Sequence, residues 1–569
     1  MPDCQNPDVV RRNVTINSKN RLNVPIKVLQ DNTRKEAEFL LSKDSVNNYE
    51  IMYECSWQRF KKENKLLVNQ FWKRSKLDPR RPLSRLVPRC SIRSGFNELY
   101  KLKAEATETE CLYYYDCNSL YSYIARDMYF PVGPYEVVLE KELQQHLQIV
   151  NKKFVYKGED CSCDVAHVSL LAPRDLYAPF LSYRFGDASF NSLCFKCVTV
   201  KNTTGPCRHK CPYKRRFSST YTVIEIEMAL SLGYELLFCY ELYHFSQKEQ
   251  VLRDYIKVIS SLKLKATDLF SHTPESDRQA FCDELNVKMK FDEPQLQINS
   301  ENVQPNPSQK QYLKDLLNSL FGRFALNSNH SIKEFVKTQA KLDLLMASKD
   351  CEILDFFPVN DDTLQVEYLK TGAAQISREG NLFYTALINA QARIFMYKYI
   401  QKLTADGCSV IYIDTDSLLF SGPSDYQLPF GVTPAFGDFK PVLGPTAVIK
   451  KFFALGCKNY CILYNDSDQT HYVTKIKGLS LGSYNLKDKI TPSLYETFIN
   501  ANFEKQVITE YIPQSRSKLE KQTRTFKQIM LTQKFSSELH LKRFILKREK
   551  TYITYPYGFN FCNVSAETI

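Results

Sequence analysis

Three aspartates are spaced as a phosphoryl transfer requires. Asp116 follows the apolar run 111–115, and Asp414 and Asp416 sit in the middle of SVIYIDTDSLLF, residues 409–420. Attack of a sugar hydroxyl on phosphorus is helped by two divalent cations roughly 4 Å apart. One lowers the pKa of the hydroxyl, and the other offsets charge on the leaving pyrophosphate. Magnesium takes hard oxygen ligands and keeps several waters, so two or three carboxylates on rigid strands suffice. Taken alone, Asp-x-Asp after a strand is more often a polar turn, so the surrounding residues must decide.

A second set of residues suits phosphate. Lys310, Lys314, Asn318 and Phe321 step by 4, 4 and 3, which places them on one stripe of a helix. Lysine is a compact point charge suited to triphosphate oxygens. The plain alternative is a solvated lysine face. Further upstream, Cys194-x2-Cys197, Cys207-x-His209 and Cys211 have the spacing of a zinc site. Free thiols in a loop are the alternative there.

These groups need elements to hold them. The run 111–115 reads as a buried strand delivering Asp116. Residues 409–420 read as a hairpin with Asp414 and Asp416 at its tip. The period of Leu313, Leu316, Leu317, Leu320, Phe321 and Phe324 predicts a helix over 308–326, with Pro305 and Pro307 marking its start. A second helix is expected over 382–403. Residues 155–245 are Cys-rich and irregular and end in a helix-like stretch, EIEMALSLGYELL. The basic, proline-bearing stretch near 73–89 reads as an exposed linker.

The composition fits a polyanionic partner. The 569 residues hold 76 Lys and Arg against 63 Asp and Glu, a net charge of +13 with a pI near 8.8. A solvated basic surface would also account for it. Residues 516–550 carry 11 Lys and Arg against 3 Glu. The 35 Tyr and 36 Phe are mostly expected in the core, though aromatics beside basic residues can stack on bases. The start, MPDCQNPDVV, has no apolar signal region, and no run of 18 apolar residues occurs. An intracellular chain with reduced cysteines is expected, nuclear or cytoplasmic rather than secreted, with no membrane partner. The N-terminus is not an Arg-rich presequence. No G-x-x-x-x-G-K-[ST] loop is present, which argues against a P-loop NTPase.

Three motifs now converge. YYYDCNSLYS (113–122) resembles D-x-x-S-L-Y-P, KDLLNSLFG (314–322) resembles K-x-x-x-N-S-x-Y-G, and YIDTDS (412–417) resembles Y-x-D-T-D-S. These are the polymerase motifs of family B DNA polymerases, in the family's order. Reverse transcriptases, whose hairpin reads Y-x-D-D, fit less well. Lys458-Asn459-Tyr460 resembles the K-x-Y element of the protein-primed branch, and Lys477-Gly478 resembles a later Lys-Gly element. APRDLYAPFLSYR (172–184), LCFKC (193–197), GPCRH (205–209), GYELLFCYELYHF (233–245) and the closing KRFILKREKTYITYPYGF resemble polymerases of Polinton/Maverick-type elements and related viruses, the organellar and viral type B group. The resemblance runs from about Tyr53 to Phe561.

What the resemblance implies is specific. Asp116 and Asp416 would be the main metal ligands, for Mg²⁺ or Mn²⁺, with Asp414 beside them. Tyr121 would floor the sugar pocket and crowd a ribose 2′-hydroxyl. Lys314 and Lys310 would meet the incoming dNTP, and Asn318 and Phe321 would pack near the nascent base pair. Lys458, Tyr460 and Lys477 would hold primer DNA. Cys194, Cys197, Cys207 and His209 would hold zinc, with Cys211 a rival for the fourth place. Ser122 stands where the family has Pro, and Phe321 where Tyr is common.

An α+β right hand is therefore expected, with palm, fingers and thumb and a Cys-rich insertion. The expected divisions are an N-terminal remnant or linker at 1–105, first palm part with insertion at 106–300, fingers at 301–345, second palm part at 346–480, and thumb with basic segment at 481–569. About 115 residues before Asp116 are too few for the 3′–5′ exonuclease domain of relatives, and no F-D-x-E precedes it. Template-primer DNA and dNTPs are the implied partners, with a terminal-protein primer implied by the protein-primed branch. The rival reading is a domesticated or decaying element product that binds DNA without synthesis.

Overall fold

A computed structural model describes residues 15–17, 23–25 and 86–560, apart from 186–187, 201–206, 272, 327–330, 349, 361, 371–379, 468, 479–489, 505, 521–524, 540–541 and 549–550. Two compact units divide the chain, Met1–Leu83 and Ser84–Ile569. In the first, the described residues form a short hairpin, Thr15–Asn17 against Asn23–Pro25. Residues 53–57 and most of the stretch near 73–89 lie outside the described residues. Everything below concerns the second unit.

Its centre is a nine-stranded sheet. The order is Gln469–Ile476, Asn459–Asp466, Val448–Gly456, Glu110–Cys117, Ser417–Pro423, Ser409–Thr415, Phe96–Leu99. Phe439–Pro441 adds to the Glu110–Cys117 strand and Lys103–Glu105 to the Val448–Gly456 strand, and the ladders are antiparallel. Both faces are covered, which is why its strands read as apolar runs. Leu418 and Phe420 pack on one side with Ile394, Met396 and Tyr397 of the helix Leu382–Ala405. Leu419 packs on the other side with Tyr495, Phe498 and Ile499 of the helix Pro492–Phe503.

The expected linker 1–105 is therefore divided differently. Phe96–Leu99 and Lys103–Glu105 are strands of the central sheet, and the unit boundary falls at Leu83. Their polar residues hid them: in FNEL only Phe96 and Leu99 bring apolar side chains to the core, where both are nearly fully buried.

The Cys-rich segment builds a four-stranded sheet in the order Phe217–Thr222, Val165–Leu171, Glu235–His244, Glu136–Leu139. The stretch expected to be helix-like is a helix only over Val223–Ser231. Gly233 then takes φ +86, a left-handed turn open to glycine, and residues 235–244 continue as a strand. Arg393 of the long helix ties this segment in. Its guanidinium pairs with Glu225 at 3.1 Å and donates to the carbonyls of Ser94 and Phe180 at 3.0 and 2.6 Å. Both partners of that pair are almost fully buried, and every neighbour named satisfies a donor.

Three helices, Arg253–Lys265, Arg278–Met289 and Pro307–Phe324, share another core with Phe130, Ile388 and Phe436. Asn306 caps the last of them, its side chain accepting from the Gln309 amide at 3.0 Å. The strands Ile332–Val336, Thr363–Lys370 and Cys351–Asn360 form a separate three-stranded sheet around Val336, Val366 and Tyr368, which spans the expected boundary at 345. The basic tail is a long hairpin, Thr509–Glu520 against Thr525–Ser536. The last strands return to the centre, where Leu102 donates to the Tyr552 carbonyl at 3.1 Å and Thr554 to that of Tyr100 at 2.9 Å. Among the described residues no helix is long and apolar enough to cross a membrane.

Candidate active site

Strand register brings the aspartates together. Lys440 pairs with Asp116, Asp116 with Ser417, Ser417 with Asp414, and Asp414 with Asn97. These residues form one row across five strands. Asp416 sits in the hairpin turn next to that row. Its amide donates to the Asp414 carbonyl at 2.7 Å, and its carbonyl accepts from the Cys117 amide at 2.8 Å. The turn depends on Thr415 at φ +64, a costly conformation for a β-branched residue. Gly95 leaves room for it, since a Cβ there would lie 2.7 Å from the Thr415 methyl.

The three carboxylates differ in their surroundings. Burial pushes Asp416 up to about 6, helped by the negative charges of Asp116 and then Asp414. Asp414 is surrounded by donors: Asn97 Nδ2 at 3.0 Å, Tyr412 OH at 3.1 Å and Lys458 Nζ at 2.5 Å. Asp116 pairs with Lys440 Nζ at 2.6 Å. Clustered carboxylates partly exposed at the end of a sheet call for positive charge.

Two hollows flank the row. The first, about 490 Å³, is lined by Asn118, Lys263, Lys310, Lys314, Thr433 and Lys440 among others. Four ammonium groups share its wall. Burial, helped by the charges of Lys440, Lys314 and Lys310, lowers Lys263 to about 8. Lys263 Nζ donates to Ser119 Oγ at 2.8 Å. A concave surface of this charge suits a polyphosphate. The second hollow, about 410 Å³, is lined by Asp414, Lys458, Tyr460, Lys475 and Lys477 among others.

Residues 41–271 match the family described as DNA polymerase type B, organellar and viral. This part of the chain is similar to a type B DNA polymerase domain. The matched span includes Asp116, Tyr121 and the cysteine cluster. The chain also aligns with solved structures of the phi29 DNA polymerase. Its ternary complex with primer-template DNA and incoming nucleotide is 13% identical, with a TM-score of 0.48, over 92% of this chain and 73% of that one. The orthorhombic crystal form is 15% identical, with a TM-score of 0.45, over the same 92% and 73%. No curated protein matches the sequence.

The remaining expected residues fall as follows. Tyr121 stacks on Phe321, ring centroids 4.5 Å apart and planes 13° from parallel. Asn318 is exposed on the same helix as Lys310 and Lys314. Lys477 is exposed beyond the strand Gln469–Ile476. Tyr460 is only 6% exposed, and its hydroxyl lies 3.1 Å from that of Tyr114. It props the sheet under the second hollow while Lys458, in a left-handed conformation at φ +60, reaches over it.

The cysteines also converge. The ligating atoms of Cys194, Cys197, Cys207 and His209 lie within 4.8 Å of one another. His209 Nδ1 is 3.5, 3.4 and 3.6 Å from the three sulfurs in turn. A tetrahedral zinc, with bonds of about 2.3 Å to sulfur and 2.0–2.1 Å to nitrogen, would separate such atoms by about 3.5 Å. Cys211, the rival ligand, is outside the cluster; it is exposed and caps the turn Pro212–Arg215.

Sequence reasoning missed Asn97, Lys263, Tyr412 and Lys440 as members of the site. Tyr412 lay inside a recognised motif and was read only as part of it. Nothing in the spacing of the other three points to the site: through the fold Asn97 reaches Asp414, Lys440 reaches Asp116, and Lys263 lines the hollow.

Proposed function

We propose that the polymerase extends a primer 3′-hydroxyl with deoxynucleotides chosen by a template, using Asp116 and Asp416 as its divalent-cation ligands. The observation that carries this is the row Asp116–Ser417–Asp414, with Asp416 at its turn, beside a hollow walled by four lysines. The hard oxygen donors fit magnesium, with manganese an alternative. Bound cations would lower the pKa of the attacking hydroxyl and offset charge on pyrophosphate.

The chain's own residues do the positioning. Lys310, Lys314 and Lys263 receive the triphosphate, and Tyr121, stacked on Phe321, floors the sugar site. Asn318 packs near the nascent base pair. Asp414 is a positioning carboxylate, because Asn97, Tyr412 and Lys458 already engage it. Lys458 and Lys477 line the primer side. The sheet is the palm, the three-helix group the fingers, and the hairpin Thr509–Glu520 with Thr525–Ser536 part of a thumb that grips duplex phosphates without reading sequence. The cluster of Cys194, Cys197, Cys207 and His209 holds a structural zinc.

Primer extension with Mg²⁺ and four dNTPs, run beside Asp416→Asn, tests the catalytic reading. Extension by the wild type alone is expected. DNA binding without extension by either protein would instead favour a binding protein that no longer synthesises. Priming from a terminal-protein hydroxyl rests on the family resemblance alone. A chain that extends DNA primers yet never labels a protein hydroxyl would refute it. Elemental analysis of purified protein should find one zinc per chain, lost in Cys197→Ser.

A further inference from the structure

Lys440 stands at the junction between the carboxylate row and the cationic hollow. Its Nζ lies 2.6 Å from Asp116 Oδ2 and donates to Asn118 Oδ1 at 3.1 Å, while its side chain lines the hollow shared by Lys263, Lys310 and Lys314. The backbone beneath it is held firmly. Phe439 is fully buried, stacks on Phe430 with centroids 4.1 Å apart, and donates its amide to the Gly431 carbonyl at 2.8 Å. Asn118 donates its amide to the Asp438 carbonyl at 2.8 Å, which fastens the strand end to the residues after Asp116.

An ammonium paired with a carboxylate blocks the oxygen that a divalent cation needs. The two cations compete for one ligand. Lysine is a compact charge on a four-carbon stem, so the head can leave while the backbone stays in place. The Lys440 head is half-exposed, and the nearest alternative anion site is the lysine-lined hollow. We propose that Lys440 is an exchanging cation: it neutralises Asp116 in the nucleotide-free polymerase and transfers to the incoming triphosphate when a divalent cation takes the carboxylate. It would keep the carboxylate row from repelling itself between turnovers and add a fourth lysine to the nucleotide once it is bound. This rests on the reading of Asp116 as a metal ligand.

The test measures Mn²⁺ binding to the nucleotide-free protein by electron paramagnetic resonance. It measures dATP affinity separately, on a dideoxy-terminated primer-template. Lys440→Met keeps length and removes charge; Lys440→Arg restores charge and controls for folding. For Lys440→Met we expect Mn²⁺ to bind about two- to fivefold tighter, the scale of one partly exposed ion pair, and dATP to bind more weakly. Lys440→Arg should return Mn²⁺ affinity to the wild-type value. Unchanged or weaker Mn²⁺ binding in Lys440→Met would overturn the exchange. Tighter Mn²⁺ binding with unchanged dATP affinity would overturn the transfer to triphosphate. Asp116→Asn separates the two layers: if it leaves Mn²⁺ binding intact, the metal-ligand reading of Asp116 fails, and the exchange fails with it for that distinct reason.

Discussion

Tyr121 and Phe321 stack face to face, 4.5 Å between ring centroids, although 200 residues of chain separate them. Tyr121 lies in the first turn of the short helix Leu120–Asp127, and Phe321 lies near the end of the lysine-bearing helix. The stack joins the carboxylate sheet to the helix that carries Lys310 and Lys314. A further bond, from Thr385 Oγ1 to the Phe321 carbonyl at 2.7 Å, fixes that helix end.

If this stack floors the sugar site, a smaller side chain should admit a 2′-hydroxyl. Tyr121→Val is expected to narrow the preference for dNTP over rNTP by about 10–200-fold, the range for steric discrimination in an apolar pocket. Competing incorporation of dATP and ATP measures it. An unchanged ratio would remove Tyr121 from sugar selection.

Tyr412 links Asp414 to Lys458 by donating to Asp414 Oδ2 and accepting from the Lys458 amide at 3.0 Å. Tyr412→Phe keeps the packing and loses both bonds. Loss of a group that orients a metal-site carboxylate typically costs roughly 10–100-fold, and a fall of that order in kcat is expected. Wild-type kcat in a folded Tyr412→Phe would show that Asp414 needs no such orientation.

Gly95→Ala tests the turn from outside. Its Cβ would meet the Thr415 methyl at 2.7 Å and push the turn that holds Asp416. A displacement near 1 Å can cost on the order of 100-fold in rate. The expected result is a large loss of primer extension with DNA binding retained. Full activity would mean that the turn adjusts freely.

Gly558 lies against the cysteine cluster, at φ +97, where a Cβ would come 2.5 Å from that of Cys194. Leu193 and Cys207 donate their amides to the carbonyls of Tyr557 and Phe559 at 2.8 and 3.2 Å. The cluster thus fastens the C-terminal segment. Gly558→Ala should destabilise by about 1–3 kcal/mol, and a strong chelator should lower the melting temperature of the wild type. A chelator-insensitive melt would count against a structural metal.

His244 offers a pH test away from the chemistry. Burial alone would lower its pKa, but Asp164 at 2.7 Å and Glu159 at 3.1 Å outweigh it and raise it above 6.5. The protonated form is favoured in the folded state. Its contribution is therefore complete below pH 6.5 and is lost as pH rises through the raised folded value. Between neutral and mildly alkaline pH the melting temperature of the wild type should fall more steeply than that of His244→Gln. Parallel slopes in the two proteins would show that the clamp is not titrating.

Local patterning was legible without coordinates. The alternation and apolar runs around Asp116 and Asp414 gave strands, and the 3.6-residue period gave the helices Pro307–Phe324 and Leu382–Ala405. Such signals arise between neighbours in sequence. The short strands Phe96–Leu99 and Phe439–Pro441 carry almost no such signal, because their pairing is decided by partners hundreds of residues away. The turn at Gly233 was missed for a related reason, since an apolar stretch reads alike as helix or buried strand.

The amino-acid sequence by itself determined the chemistry on offer: carboxylates at strand ends, a lysine stripe, a zinc-spaced cluster, and motifs in the order of one polymerase family. Only the tertiary structure decided their relations. Register across five strands lined up Lys440, Asp116, Ser417, Asp414 and Asn97. Packing of the helix Arg253–Lys265 on the helices Leu120–Asp127 and Pro307–Phe324 brought Lys263 into the same hollow. His209 rather than Cys211 joined the sulfur cluster, and Cys211 was left exposed. Which charges face one another depends on long-range pairing and on which surfaces bury, and neither is encoded in the spacing of residues along the chain.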